Sequence, residues 1–282
     1  MRIRISADST CDLSPELIKQ YDVAITPLYI RLGDRDLKDS IEVTRDDIYS
    51  YVDKTKTIPK TAAVNVGDYV EFFKSVREEG YDGVVHFTIS AEMSSCFQNA
   101  CLAAQGFENV YIVDSRTLST GIGHLVLDAC ILRDEGKTAK EIYEILEERK
   151  KKLDVSFVLD TLRYLALGGR CNALKAFSAN LLNIKPSIQV RHDGTMGVDK
   201  KYRCSFERAV VRYVNDKLAD KDSLDLKRIF ITDSGSSDAI RDAVEEAVRK
   251  NAPFAEIIHT RAGCTVSSHC GPNCIGILFY RK

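Results

Sequence analysis

Residues 86–106 read HFTISAEMSSCFQNACLAAQG, and the change of character half-way through this stretch decides the fold. It begins as the end of an apolar run, residues 83–89, of the kind that forms a strand buried on both faces, and it finishes as a helix. Ser90, Ser94 and Ser95 crowd the changeover. A strand that passes directly into a helix is the unit from which parallel α/β sheets are built. The new helix opens with backbone N–H groups that lack partners inside it, and its dipole favours negative charge there. Those donors accept either a capping hydroxyl or an anion. On this stretch alone, Ser94 or Ser95 is a cap for its own helix, and a seat for a phosphate or carboxylate needs support from elsewhere.

The same alternation extends in both directions. RIRISA (2–7), VAITPLYI (23–30) and VYIVD (110–114) read as further strands. SPELIKQY (14–21) has Pro15 just after a capping Ser14, and VGDYVEFFKSVREEG (66–80) places Val66, Val70, Phe73 and Val76 on one helical face. A long helical stretch follows residue 114 and ends in TAKEIYEILEERKKKL (138–153), whose stripe is Ile142, Ile145, Leu146 and Leu153. From residue 154 the pattern restarts with VSFVLD and a short helix ending at LGGR. Next comes a hairpin about Gly194 in HDGT. Helices at 205–219 and 236–250 flank the strand RIFITD, and CIGILFY is the last strand. The expectation is an α/β protein of two domains. Residues 1–153 form a mostly parallel sheet flanked by helices, and residues 154–282 form an α/β domain with a mixed or antiparallel sheet. A length of 282 residues suits two cores better than one.

Composition narrows the partners. Lys+Arg at 40 against Asp+Glu at 41 leaves a net charge of -1, so no basic surplus points to nucleic acid. The start, MRIRISADST, lacks the apolar core of a signal peptide, and no apolar run is long enough to span a bilayer, so a cytoplasmic protein is expected. Nine scattered cysteines suit reduced thiols. Cys264, His269, Cys270 and Cys274 lie close together in CTVSSHCGPNC, but their spacing lacks the paired hooks of a zinc site, so no metal is expected.

Nucleotide motifs fail. EGKT at 135–138 resembles the end of a P-loop, yet Ile131 stands where the first glycine belongs. GIGHLV at 121–126 has Val126 where a dinucleotide fingerprint has its third glycine. Ser94, in EMSSC, lacks the glycines of a nucleophile elbow.

Taken in order, ADSTCDLS (7–14), PKTAAVNVGDY (59–69), ISAEMSSCFQNA (89–100), VDSRTLSTGIGHLV (113–126), LGGR (167–170) and SSHCGPNCIGILF (267–279) resemble the DegV family of bacterial fatty-acid-binding proteins. The resemblance runs from the first strand to the last. There are departures. The family has a Thr-Ser-Gln-Pro-Ser run where this chain has TAAVN, so only Thr61 matches, and a Leu-Ser-Gly-Thr-Tyr run where it has MSSCF, so Ser94 matches while Ser95 replaces a glycine.

The resemblance implies two domains holding one long-chain fatty acid, such as palmitate, in a tunnel between them. Its carboxylate would meet Thr61 and Ser94, with Ser95 alongside. Members resemble the acyl-carrying subunit of a fatty acid kinase of phospholipid metabolism, so the implied partner is a separate ATP-binding kinase subunit. The chain would then be no enzyme by itself and would use no cofactor. Contact with membranes would be limited to transient lipid exchange. Arg170 and His269 match the family's basic positions and are assigned to the pocket rim, for phosphoryl transfer or contact with the kinase.

The chemistry suits the residue types. A buried carboxylate needs hydrogen bonds, and neutral donors supply them without taking the negative charge that phosphoryl transfer uses. Two other readings stay open from the residues alone. One is a serine esterase or acyltransferase with Ser94 as nucleophile and His269 as base, and the other is a sensor for a small anion.

Overall fold

The computed structural model describes residues 1–169 and 184–282. The chain opens with β1 (Ile3–Asp8) and a 3₁₀ turn over residues 9–11. Helix α1 (Pro15–Tyr21) starts at Pro15, and the Ser14 hydroxyl accepts from the Leu17 N–H. The run 23–30 is two strands rather than one, β2 (Ala24–Thr26) and β3 (Tyr29–Leu32). Pro27 lies at the break; having no N–H, it cannot extend a ladder. The two pieces then join different sheets.

β4 (Arg35–Lys38), α2 (Arg45–Thr55) and β5 (Lys60–Ala62) follow. Next come α3 (Val66–Glu78), β6 (Gly83–Thr88), α4 (Cys96–Ala104) and β7 (Val110–Asp114). The expected long helical stretch is two helices, α5 (Thr120–Asp134) and α6 (Ala139–Arg149). Gly136, at φ +85°, separates them, and Thr138 with Glu141 forms a capping box for the second.

The N-terminal strands form a four-stranded parallel sheet, ordered β2-β1-β6-β7. β6 is buried along its whole length, as its unbroken apolar run requires. A small antiparallel sheet, β4-β3-β5, stands apart from it, and its register sets Thr61 opposite Ile30.

The remaining chain supplies β8 (Leu153–Leu159), α7 (Arg163–Gly168), β9 (Lys185–Val190) and β10 (Met196–Tyr202). It continues through α8 (Phe206–Lys217), β11 (Leu224–Asp233), α9 (Asp238–Asn251) and β12 (Glu256–Arg261). It ends with α10 (Cys264–Cys270) and β13 (Cys274–Arg281). These strands make one mixed sheet, ordered β10-β9-β8-β13-β11-β12. Only β11 and β12 pair in parallel; the other neighbours are antiparallel. The α/β class with a parallel N-terminal sheet and a mixed second sheet is therefore realised.

Alternation along β13 shows how the second sheet is used. Ile275, Ile277 and Phe279 pack with α8 and α9, whereas Cys274, Leu278 and Tyr280 face the other way. That second face meets α5, which lies between the two sheets and contacts β1 and β6 as well as β8 and β13. Eleven consecutive α5 residues, Thr120–Cys130, are buried, so this part of the helix is covered on all sides instead of striped. One continuous core thus runs from Ile5 and Phe87 to Phe157 and Leu278.

Candidate functional site

A cavity of about 430 Å³ opens where the two sheets and the small antiparallel sheet meet. Four segments supply most of its wall. β5 brings Thr61, the β6–α4 loop brings Ile89, Met93, Ser94 and Ser95, the turn before α5 brings Leu118, and α10 brings Thr265, Val266, His269 and Cys270. A chamber of about 20 Å³ lies behind it. Leu118, Val266 and Cys270 wall both spaces, and the inner one reaches Phe157 and Leu278 of the six-stranded sheet.

The hydroxyls of the opening stretch do different jobs. Ser90 is fully buried, and its hydroxyl donates to the Gly194 carbonyl at 2.9 Å, tying the β6–α4 loop to the β9–β10 hairpin. Ser94 is half-buried; its Oγ accepts from the Cys96 N–H at 3.3 Å and donates to the Cys96 sulfur at 3.2 Å. It therefore satisfies one of the free N–H groups at the start of α4, as a cap would. Ser95 does not. It occupies the N-cap position with φ -81° and ψ 4°, away from the extended backbone that aims a capping hydroxyl, and makes no side-chain cap bond. Its exposed side chain stands at the cavity wall instead.

Thr61 is half-buried, and its Oγ1 lies 2.8 Å from Nε2 of His269. Pairing with Ile30 holds its backbone, and Asn99 of α4 donates to the Val64 carbonyl at 2.8 Å, which fixes the segment after β5 against the Ser94 helix. His269 belongs to the last turn of α10 rather than to a loop, and the ring is directed at Thr61. Thr61, Ser94, Ser95 and His269 thus wall one cavity, with His269 bonded to Thr61. Arg170 lies outside the described residues. The esterase geometry is not the one present, because Ser94 Oγ engages Cys96 while His269 Nε2 engages Thr61.

Three buried carboxylates, none of them singled out from the sequence, anchor the walls. Asp8 accepts from the Ile89 N–H at 2.8 Å and from the Thr10 N–H at 3.0 Å, and burial pushes its pKa up to about 6. Asp12 accepts from the Ser119 hydroxyl at 2.5 Å and from the Gly263 N–H at 2.8 Å, and burial pushes it up to about 8. Asp39 accepts at the start of α10. The signal was present in ADSTCDLS, where two acids flank small hydroxyl residues, a pattern that favours side-chain-to-backbone bonding in turns.

Among the described residues no group of histidine, cysteine and acidic side chains is arranged to hold a metal ion, and no helix is long and apolar enough to cross a membrane.

The fold is shared with known proteins. A DegV domain-containing protein of Clostridium perfringens is 30% identical over 284 residues, covering 99% of this chain and 98% of its own. A solved DegV family protein from Thermus thermophilus, described with fatty acid binding, superposes with a TM-score of 0.90 at 29% identity over the whole of both chains. A DegV lipid-binding protein from Thermotoga maritima gives a TM-score of 0.88 at 25% identity, covering 100% of this chain and 99% of that one. The model of the family described as "Uncharacterised protein, DegV family" matches residues 2–282, and with one fold shared from end to end the chain belongs to the DegV family.

Proposed function

We propose that this protein binds one long-chain fatty acid, with the carboxylate at Thr61 and Ser94 and the tail directed past Leu118, Val266 and Cys270 towards the inner chamber. The observation that carries this reading is the make-up of the cavity. Uncharged hydroxyls, one imidazole and the Gln98 amide stand in a wall that is otherwise apolar, with Leu28, Ile89, Met93, Leu118, Leu165 and Val266 among its residues. Its volume falls in the range of sites that enclose small organic ligands. An acyl tail gains about 0.8 kcal/mol per buried CH₂, much of it offset by lost freedom, and the head needs hydrogen bonds to leave water. The Thermus thermophilus and Thermotoga maritima relatives, described as binding fatty acid and lipid, support the same ligand class.

In this reading residues 1–153 carry most of the carboxylate seat, residues 154–282 cover the acyl chain, and α10 returns from the second part to complete the seat with His269. The protein acts in the cytoplasm as a carrier and presents the carboxylate to a separate ATP-dependent kinase subunit, which forms the acyl phosphate. Arg170 and His269 supply the positive charge that the added phosphate requires. Native mass spectrometry of protein purified from cells tests the ligand: a co-purified fatty acid in one-to-one ratio is expected. Protein that carries no lipid and takes up no added palmitate would refute the reading.

A further inference from the structure

The seat depends on a helix that cannot place itself. α10 has seven residues, too few to be stable without outside contacts. Yet it carries Thr265 and His269, four residues apart and so on one face, and both wall the cavity. What holds its first turn is Asp39, which is 1% exposed. One carboxylate oxygen accepts from the Ser40 hydroxyl at 2.8 Å and the Cys264 N–H at 2.9 Å. The other accepts from the Ser9 hydroxyl at 2.9 Å, the Thr265 N–H at 3.1 Å and the Thr265 hydroxyl at 2.6 Å. Five donors from three segments therefore meet one buried side chain. They include the first two N–H groups of α10 and the hydroxyl of Thr265, a residue of the cavity wall. Asp12 adds a fourth bond to the same turn, from the Gly263 N–H just before the helix.

We propose that Asp39 is a positioning residue for the carboxylate seat: it fixes the height and rotation of α10, and through that helix the His269 ring that meets Thr61. This rests on the fatty-acid reading above. A neutral amide of the same shape at position 39 would turn an NH₂ towards a backbone N–H that cannot accept, Cys264 on one side or Thr265 on the other, so the first turn of α10 would shift and His269 would leave Thr61.

The test uses the full chain with carboxyl-¹³C palmitate and with hexadecanol, which has the same tail and an uncharged head. If the parent protein binds neither ligand, the fatty-acid reading itself is refuted. If it binds, Asp39→Asn is expected to weaken palmitate by roughly tenfold, the scale of one hydrogen bond to a charged group, with little effect on hexadecanol. The carboxyl ¹³C resonance of bound palmitate should move as well. In the Thr61→Val background the same change should cost much less, because its effect passes through the Thr61–His269 contact. Equal losses for both ligands, or full additivity with Thr61→Val, overturn the proposal while leaving the fatty-acid reading intact. If Asp39→Asn does not fold by circular dichroism, Ser40→Ala decides. It removes one donor to Asp39 from outside the cavity walls, so a loss selective for palmitate supports the proposal and no selective loss overturns it.

Discussion

Replacing Thr61 by valine removes one hydroxyl and little else. Valine matches threonine in shape and favours strands, and the backbone of residue 61 stays paired with Ile30, so the small sheet should survive intact. The hydroxyl lost is the one 2.8 Å from His269 Nε2 in the cavity wall. A hydrogen bond to a charged group contributes about 1.5–3 kcal/mol, so if Thr61 donates to the ligand carboxylate, palmitate should bind roughly 10- to 100-fold more weakly. The tail term, about 0.8 kcal/mol per methylene, is common to palmitate and hexadecanol and cancels in their ratio. Isothermal titration or displacement of a fluorescent fatty acid gives both affinities. Palmitate binding that is unchanged, or that falls in step with hexadecanol, would refute the placement of the head group at Thr61.

Further outcomes are specific to other residues. Arg170→Ala should spare palmitate binding and impair its phosphorylation when the kinase subunit is supplied; loss of binding would instead assign Arg170 to the carboxylate seat. Gly194 has φ +85°, and a methyl group there would strike the Ser90 hydroxyl that donates to the Gly194 carbonyl. Gly194→Ala should therefore cost about 1–3 kcal/mol in urea unfolding, and an unchanged midpoint would count against the described hairpin contact. The pKa of Asp12 is about 8 in the folded protein, above its ordinary 3.8, so the folded state holds that proton more tightly than the unfolded chain. The resulting stability is complete below about pH 4 and lost as pH rises through 8. Between pH 4 and 6, Asp8 adds a loss of the same sign, while His86 and His124, lowered by burial to about 3, act in the opposite sense and offset the two acids. Of these four groups, Asp12 alone acts in the window from 6.5 to 8. Unfolding free energy there should fall by up to roughly 1.4 kcal/mol per pH unit, and Asp12→Asn should flatten the slope. An equal slope in both proteins would exclude Asp12 as the cause.

Periodicity disclosed most of the frame because burial is periodic. β1, β6 and β7 were legible as apolar runs, and α3 and α6 as stripes. What escaped was short or held from outside. β4 and β5 have four and three residues, too few to show an alternation. α10 is rich in cysteine, serine, threonine and valine, none of them strong helix formers, and is held by carboxylates that lie 225 and 251 positions earlier. Thr61, Ser94 and His269 could be named in advance only through a family resemblance; the bond between Thr61 and His269 spans 208 positions, and no local pattern encodes it. The role of Ser90 was hidden for the same reason, since its partner Gly194 lies 104 positions away.

Along Thr120–Cys130, helix α5 has no outward side. Since one sheet rests on each flank, pulling the halves apart would strip Ile122, Leu125 and Leu127 bare on both surfaces at once. Clamshell opening is therefore a costly way to admit a lipid. Exchange should proceed by small local rearrangements at the mouth, and calorimetry should register a single melting event for the whole chain.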